Sequence, residues 1–173
     1  MKASVFVGTS VDGFIARPDG AFDFLPADGG EPHGFDEFMA SVDALVMGRN
    51  TFDTVLRVDA WPYGDKPVFV LSHRPLGSLP AGVVAERMSG EPAEIVSRLA
   101  ERGIGHIYVD GGLTIQEFLR AGLIQRLIVT RVPVLIGTGI PLFGAVPRDI
   151  VLRHVSTRSL ASGLVQSEYE VSA

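Results

Sequence analysis

The sequence predicts a single α/β domain over residues 1–173, with a mixed, mostly parallel central sheet flanked by helices and with antiparallel strands at the C-terminal end. Three observations predict this fold class. Short runs rich in valine and isoleucine recur along the first two thirds of the chain, as in strands that are buried on both faces. Helical patterns separate those runs, which implies right-handed parallel crossovers. The last third has few helical signals, which favours antiparallel strands.

Each predicted element follows from the spacing of its apolar residues. The long segment from Ser10 to Gly34 is expected to be a lid or a binding loop, because unstructured loops above about 12–15 residues are uncommon in compact domains. Strands are expected at residues 3–9, 44–47, 68–71, 107–109, 127–136, 150–157 and 164–171, and helices at 35–42, 50–56 and 113–121, with a further helix that Ser89 caps and Gly103 ends.

The composition excludes several classes of function. A net charge of −5 argues against a surface built for nucleic acid or anionic lipid. The absence of cysteine excludes disulfides and cysteine-ligated metals, and the four histidines have no ligand-like spacing, so metal catalysis is not expected. The apolar N-terminus is too short for a signal peptide or a membrane span. We therefore expect a cytoplasmic protein with neither a nucleic-acid nor a membrane partner.

Three of the predicted strands end in clusters of glycine, hydroxyl and arginine residues. The clusters are Met47-Gly48-Arg49-Asn50-Thr51, Ser72-His73-Arg74 and Asp110-Gly111-Gly112. Ligands of open α/β sheets bind at the carboxyl ends of strands. Glycine lets backbone N–H groups approach an anion, helix N-termini attract it, and arginine adds charge-assisted hydrogen bonds. The pattern predicts a phosphate-bearing ligand.

These motifs also carry a resemblance that spans nearly the whole chain. Together with Ser10-Val11-Asp12-Gly13-Phe14-Ile15-Ala16 and the segment 134–143, they resemble the dihydrofolate reductase-like family, in particular the branch with the reductase domain of bifunctional riboflavin-biosynthesis proteins. The resemblance implies NADPH lying across the strand ends, a small-molecule substrate and a homodimer. Proteins of this branch are often labelled deaminase-reductases, but a zinc deaminase needs cysteine ligands that this chain lacks.

The resemblance also implies roles for individual residues. Those expected to hold the cofactor phosphates are Gly48, Arg49 and Thr51, those expected at the 2′-phosphate are Leu71, Ser72 and Arg74, and those expected at the pyrophosphate or the nicotinamide side are Gly111, Gly112, Thr114 and Ile115. From the residues alone, ordinary alternatives stay open for each group: a helix start with an exposed arginine, a polar turn before Pro75, and a tight strand-to-helix turn.

The source of the proton that must accompany a hydride is open in the sequence. Asp12 and Asp36 are the catalytic candidates, with Glu31 and Glu37 as further acids in the same region. The alternatives are that Asp12-Gly13 is only a type I′ turn and that the other acids are solvated charges near a helix N-terminus.

Two functions follow from these observations. The first is an NADPH-dependent oxidoreductase that transfers hydride to a small heterocyclic or carbonyl substrate. The second is a non-catalytic nucleotide-binding homodimer that retains the cofactor groove. The apolar segments 132–136 and 140–143 would form the dimer contact or belong to the core, and Trp61 and Tyr63 would pack in the core or line a pocket.

Overall fold

The computed structural model describes residues 1–26 and 32–172, which form four helices and ten strands, eight strands in a main sheet and two in a small ribbon. The strands are β1 (Lys2–Ser10), β2 (Phe14–Ala16), β3 (Ala44–Gly48), β4 (Val68–Leu71), β5 (Ala85–Met88), β6 (His106–Asp110), β7 (Arg126–Val132), β8 (Ile140–Pro141), β9 (Leu152–Ser159) and β10 (Val165–Val171). The helices are α1 (Phe35–Ser41), α2 (Arg49–Val55), α3 (Pro92–Glu101) and α4 (Gly112–Arg120).

The main sheet has eight strands in the order β5-β4-β3-β6-β1-β7-β10-β9. Neighbouring strands from β5 to β7 run parallel, whereas β10 is antiparallel to both β7 and β9. This arrangement confirms the predicted fold class, including the antiparallel C-terminal strands.

Alternation along the parallel strands builds two apolar layers. In β3, Leu45 and Met47 pack in the layer that holds α1 and α2, whereas Val46 packs in the layer that holds α3 and α4. All three side chains are fully buried. Successive side chains of a strand point to opposite faces, so a continuous apolar run is what a sheet covered on both sides requires. Helices α1 and α2 therefore cover one face of the sheet, and helices α3 and α4 cover the other.

The sequence patterns missed or misplaced some elements. Strand β5 was not predicted, because an edge strand with Met88 as its one buried residue carries no apolar run. The N-cap of α3 is Glu91 and not Ser89: Glu91 and Glu94 form a capping box, and Pro92 takes the first helical position. Strand β7 ends before Pro133, which has no N–H for the ladder.

The early loop is more ordered than predicted over its described part. It contains β2, which pairs with β8, and Leu25 lies over Gly8 of β1, where an added Cβ would stand 2.8 Å from the Leu25 Cδ2 atom. The Asp12-Gly13 dipeptide does not form the type I′ turn, because in the described ranges glycines alone have a positive φ. Instead, the N–H of Gly13 donates to the carbonyl of Ser10.

The imidazole of His106 predicts a pH-dependent stability. Its Nδ1 lies 2.7 Å from the Ser41 carbonyl and its Nε2 lies 2.8 Å from the Ser4 hydroxyl, an arrangement that suits a neutral ring. Burial, and then the charges of Lys2 and Arg126, lower the pKa of His106. The unfolded chain therefore binds more protons just below its ordinary pKa, and the folded state loses stability as the pH falls through that window.

We expect the melting temperature to fall between about pH 7.5 and pH 5, and to fall less in His106→Gln, which has no imidazole to protonate. Thermal denaturation across this range measures both slopes. His154→Gln, at an exposed position on β9, is the matched control and should keep the wild-type slope. An unchanged slope in His106→Gln would show that this ring does not set the acid sensitivity.

Candidate active site

The three polar clusters predicted from the sequence lie side by side at one edge of the sheet. Strand β3 stands between β4 and β6, so their carboxyl ends are neighbours. Gly48 pairs in register with Leu71, and Met47 pairs with Asp110. The edge that they share is the place where α/β sheets bind ligands.

Two helices begin at this edge, and the glycine at the start of each lies close to the other helix. Gly48 is the N-cap of α2 and Gly111 the N-cap of α4, and within the described residues no side chain caps either helix. A Cβ on Gly48 would lie 3.1 Å from the Thr114 hydroxyl, and a Cβ on Gly111 would lie 2.5 Å from the Thr51 hydroxyl. Each N-cap thus packs against a threonine in the first turn of the other helix. The amide groups of both helix starts converge on one place, which suits an anion.

Gly111→Ala is expected to destabilise the protein and to open this arrangement. Gly111 has φ 93° and ψ 132°, a combination that side chains rarely adopt and that costs about 1–3 kcal/mol, and the new methyl group would collide with Thr51. Thermal denaturation should show a lower melting temperature. Gly103→Ala is the control: it also has a positive φ, 82°, but nothing lies within 4 Å of an added Cβ, so its substitution has a backbone cost without a collision. Equal losses in the two variants would contradict the close packing against Thr51.

Arg49 holds the loop that follows β4. The Nη1 atom of Arg49 lies within hydrogen-bond distance of three acceptors in this loop. These are the Ser72 hydroxyl at 3.3 Å, the Arg74 carbonyl at 3.3 Å and the Pro75 carbonyl at 3.1 Å. Its Nε pairs with Asp53 one turn along α2 at 3.0 Å. The charge of Arg49 is therefore largely compensated by a carboxylate, and its main role in this state is to position the 72–75 loop.

Two other guanidinium groups supply the net positive charge of the site. The Arg74 side chain is exposed and has no partner among residues 1–26 and 32–172. Arg87 on β5 donates to the Ser72 carbonyl at 3.4 Å and has no carboxylate partner in the same ranges. Sequence reasoning missed Arg87 because it missed β5. Strand β5 pairs in parallel with β4, and this pairing brings Arg87 to the loop that follows β4.

Some of the predicted cofactor contacts have other roles in the structure. Ile115 is fully buried in the core and its N–H donates to the Gly111 carbonyl, so neither group is available to a cofactor; this is a correction to the predicted site. Gly112 lies against the ribbon of β2 and β8, where an added Cβ would stand 2.8 Å from Ile140 Cγ2. Leu71 is partly buried and packs against the core that α3 and α4 cover.

Asp110, at the end of β6, is a titratable group that the sequence analysis did not single out. One carboxylate oxygen accepts the Gly111 N–H at 2.8 Å, and the other accepts the buried Tyr63 hydroxyl at 3.3 Å. Burial raises the pKa of the Asp110 carboxyl above its usual value, and these two hydrogen bonds only partly oppose the rise. A carboxyl that resists ionisation at a ligand-binding edge is a candidate proton donor. Its position in the motif Asp110-Gly111-Gly112 was the signal that could have found it.

Trp61 and Tyr63 belong to an aromatic cluster beside Asp110. Their rings are perpendicular with centroids 5.0 Å apart, and Trp61 also contacts Phe52 of α2 edge-on. The Trp61 Nε1 atom is buried and has no hydrogen-bond partner in the described part of the chain. Core packing, one of the two roles predicted for these residues, is confirmed.

The two acids predicted as catalytic do not belong to the three strand-end clusters. The Asp12 carboxylate accepts the N–H of Gly137 at 2.8 Å and that of Ile136 at 3.3 Å. A hydrogen bond from Ser10 is the largest cause that lowers the pKa of Asp12, so this group is ionised and anchors a loop. Asp36 is exposed and lines a shallow depression of 260 Å³ beside Tyr63. Of the other two candidates, Glu31 lies outside the described residues and Glu37 lines a separate cavity of 540 Å³.

Over the described ranges, none of the helices combines the length and the apolar character that crossing a lipid bilayer requires.

Comparisons with known proteins agree with this geometry. The sequence model of the RibD C-terminal domain matches residues 2–166. The chain is similar to the uncharacterized protein YwjB of Bacillus subtilis (strain 168), with 31% identity over 171 residues and 97% of each chain covered.

Two solved structures give the same result. The chain superposes over its full length, and that of the other chain, on a Shewanella sp. PV-4 protein named as a candidate in riboflavin biosynthesis, with TM-score 0.89 and 38% identity. It also has the fold of an Enterococcus faecalis dihydrofolate reductase solved in complex with NADP(H), with TM-score 0.68, 16% identity and 99% and 97% of the two chains covered. The chain therefore belongs to the RibD C-terminal domain family, whose fold is that of the dihydrofolate reductase-like reductases.

Proposed function

We propose that the protein is an NADPH-dependent reductase that transfers hydride to a C=O or C=N bond of a small organic substrate. The observation that carries the proposal is the meeting, at one sheet edge, of two helix starts without side-chain caps and two guanidinium groups that have no carboxylate partner in the described ranges. Membership of the RibD C-terminal domain family supports the reductase class.

The residues at this edge fit NADPH in charge and in shape. The helix starts at Gly48 and Gly111 offer backbone N–H groups to a pyrophosphate, and side chains at these two positions would fill the space between the helices. Arg74 and Arg87, on neighbouring segments after β4 and within β5, suit the 2′-phosphate that distinguishes NADPH from NADH. Arg49 positions the loop that carries Ser72 and Arg74.

NADPH, when bound, supplies the hydride, and the protein must supply a proton. Asp110 is the group suited to that task, because its raised pKa keeps the carboxyl protonated at higher pH than an exposed aspartate. It donates to the substrate directly or through one water. Tyr63 holds the carboxyl in place through its hydroxyl.

Ligand-induced stabilisation and cofactor oxidation together test the proposal. At about 100 times its dissociation constant, NADPH should add about 2.7 kcal/mol of stability, whereas NADH at the same concentration should add less. Oxidation of NADPH with a panel of pterins, pyrimidines and simple carbonyls then separates a reductase from the non-catalytic binding protein. Binding without turnover across the panel would favour the latter, and no stabilisation by NADPH would contradict both.

We also propose that the protein is a homodimer. The apolar segments 132–136 and 140–143 each have buried and exposed residues. Val132 and Leu142 are buried, whereas Leu135 is 72% exposed and Phe143 is 52% exposed. Leu135 and Phe143 lie in the segment that the family resemblance places near a dimer partner, and their exposed apolar surface supports such a contact. Sedimentation velocity of the wild type should give a dimer, and a monomer at all concentrations would contradict this.

A further inference from the structure

A cavity of 540 Å³ lies away from the nucleotide edge, beside α1 and over β7, β10 and β9. Its volume is in the range of small-molecule sites. Its walls combine apolar side chains, including Phe6, Phe38 and Ile128, with charged ones from α1 and the C-terminal strands.

The charges of the cavity are unequally compensated. Arg126 pairs with Glu168 at 2.7 Å, and both side chains are 24% exposed, so this pair contributes little net charge. Arg158 has no carboxylate partner within residues 1–26 and 32–172, and neither does Glu37 have a cationic one. Among the lining residues that the structure describes, Arg158 is therefore a cation and Glu37 an anion without a partner of opposite charge.

Of these two groups, Arg158 is the one that the fold holds in place. Its Nε donates to the Gln166 side-chain oxygen at 3.0 Å. Gln166 is 8% exposed, and its amide nitrogen donates to the Thr130 hydroxyl at 3.0 Å and to the His33 carbonyl at 2.9 Å. This buried amide fixes the Arg158 Nε and leaves the Nη groups beside Gly34 for a ligand. Preorganisation of this kind lowers the entropic cost of binding.

We propose that the cavity binds an aromatic organic monoanion. Its carboxylate pairs with the Nη groups of Arg158, for which a planar acid is the geometric match. Its ring lies against the apolar wall of Phe6, Phe38 and Ile128. Glu37 repels additional negative charge, which disfavours a dianion such as a phosphate monoester.

Benzoate is the probe, because it has one ring and one charge. Titrations of the wild type followed by NMR should give benzoate an affinity at least about tenfold above those of phenol and of acetate, which each lack one of the two features. Arg158→Met should weaken benzoate by about tenfold or more. Glu37→Gln should strengthen the binding of phenyl phosphate, since it removes the repulsion.

Arg153→Met is the matched control: it lies on the same strand and pairs with Glu170, and it is not among the residues that line the cavity. It should leave benzoate affinity unchanged. Absence of benzoate binding to the wild type at about 10 mM, or equal losses in Arg153→Met and Arg158→Met, would overturn the inference. Arg158 lies on β9, at the opposite edge of the sheet from β5, so its substitution should not affect NADPH binding. Measuring NADPH binding in Arg158→Met therefore tests the proposed function separately from this inference.

Discussion

Asp110→Asn is expected to lower kcat by about 10²–10⁴-fold while leaving the dissociation constant of NADPH nearly unchanged, because asparagine keeps the shape of the carboxyl but has no acid proton to give. The substitution should not lower the free energy of unfolding. The pKa of Asp110 is raised in the folded state, so the buried carboxylate costs stability once the pH passes its ordinary pKa, and the amide removes that cost. The measurements are steady-state kinetics, NADPH titration and thermal denaturation of both proteins.

The pH dependence of kcat gives a second readout of the same group. A proton donor must be protonated, so kcat of the wild type should fall as the pH rises through the pKa of Asp110. The Tyr63 hydroxyl lowers that pKa by its hydrogen bond. Tyr63→Phe should therefore move the fall in kcat to higher pH, and Asp110→Asn should abolish it. An Asp110→Asn enzyme with most of the wild-type kcat would exclude the carboxyl as the donor.

Arg74→Ala is expected to weaken NADPH by about 1.5–3 kcal/mol, the usual value of a charge-assisted hydrogen bond, and to leave NADH nearly unchanged. This corresponds to a loss of about tenfold to 150-fold in affinity. Arg87→Ala should have the same selectivity, because its guanidinium lies beside the same loop. Both effects should shrink at high salt, since the two side chains are exposed. Titration with each cofactor at two ionic strengths measures them.

The prediction for Arg74→Ala has a control variant and a result that would contradict it. Arg120→Ala, in the last turn of α4 and thus at the far end of that helix, removes the same charge and should leave both cofactors unaffected. Arg49→Ala should weaken both cofactors, because it releases the loop that carries Ser72 and Arg74. Equal losses of NADPH and NADH in Arg74→Ala would remove Arg74 from the 2′-phosphate site.

The sequence predicted the parts of this site that depend on local chemistry. Buried strands must be apolar along their whole length, so Leu45, Val46 and Met47 identified β3, and the glycines after it marked where the backbone turns into a helix. The strand-end motifs and the family resemblance that they carry gave Gly48, Thr51, Gly111 and Thr114, which the fold brings together.

Long-range contacts explain what the sequence could not give. The patterns gave no sign of the exposed edge strand that carries Arg87, because its pairing with β4 is set by the fold and its own residues form no apolar run. The hydrogen bonds of the Asp12 carboxylate to Ile136 and Gly137 were also not predictable, since they join positions more than 120 residues apart.

The sequence by itself determined the fold class, the order of the main strands and helices and the family, because periodicity and strand-end motifs are properties of neighbouring residues. Only the tertiary structure decided which ionisable groups are compensated and which resist ionisation. Those properties of Asp110 and Arg158 depend on burial and on partners that the chain brings together from distant positions.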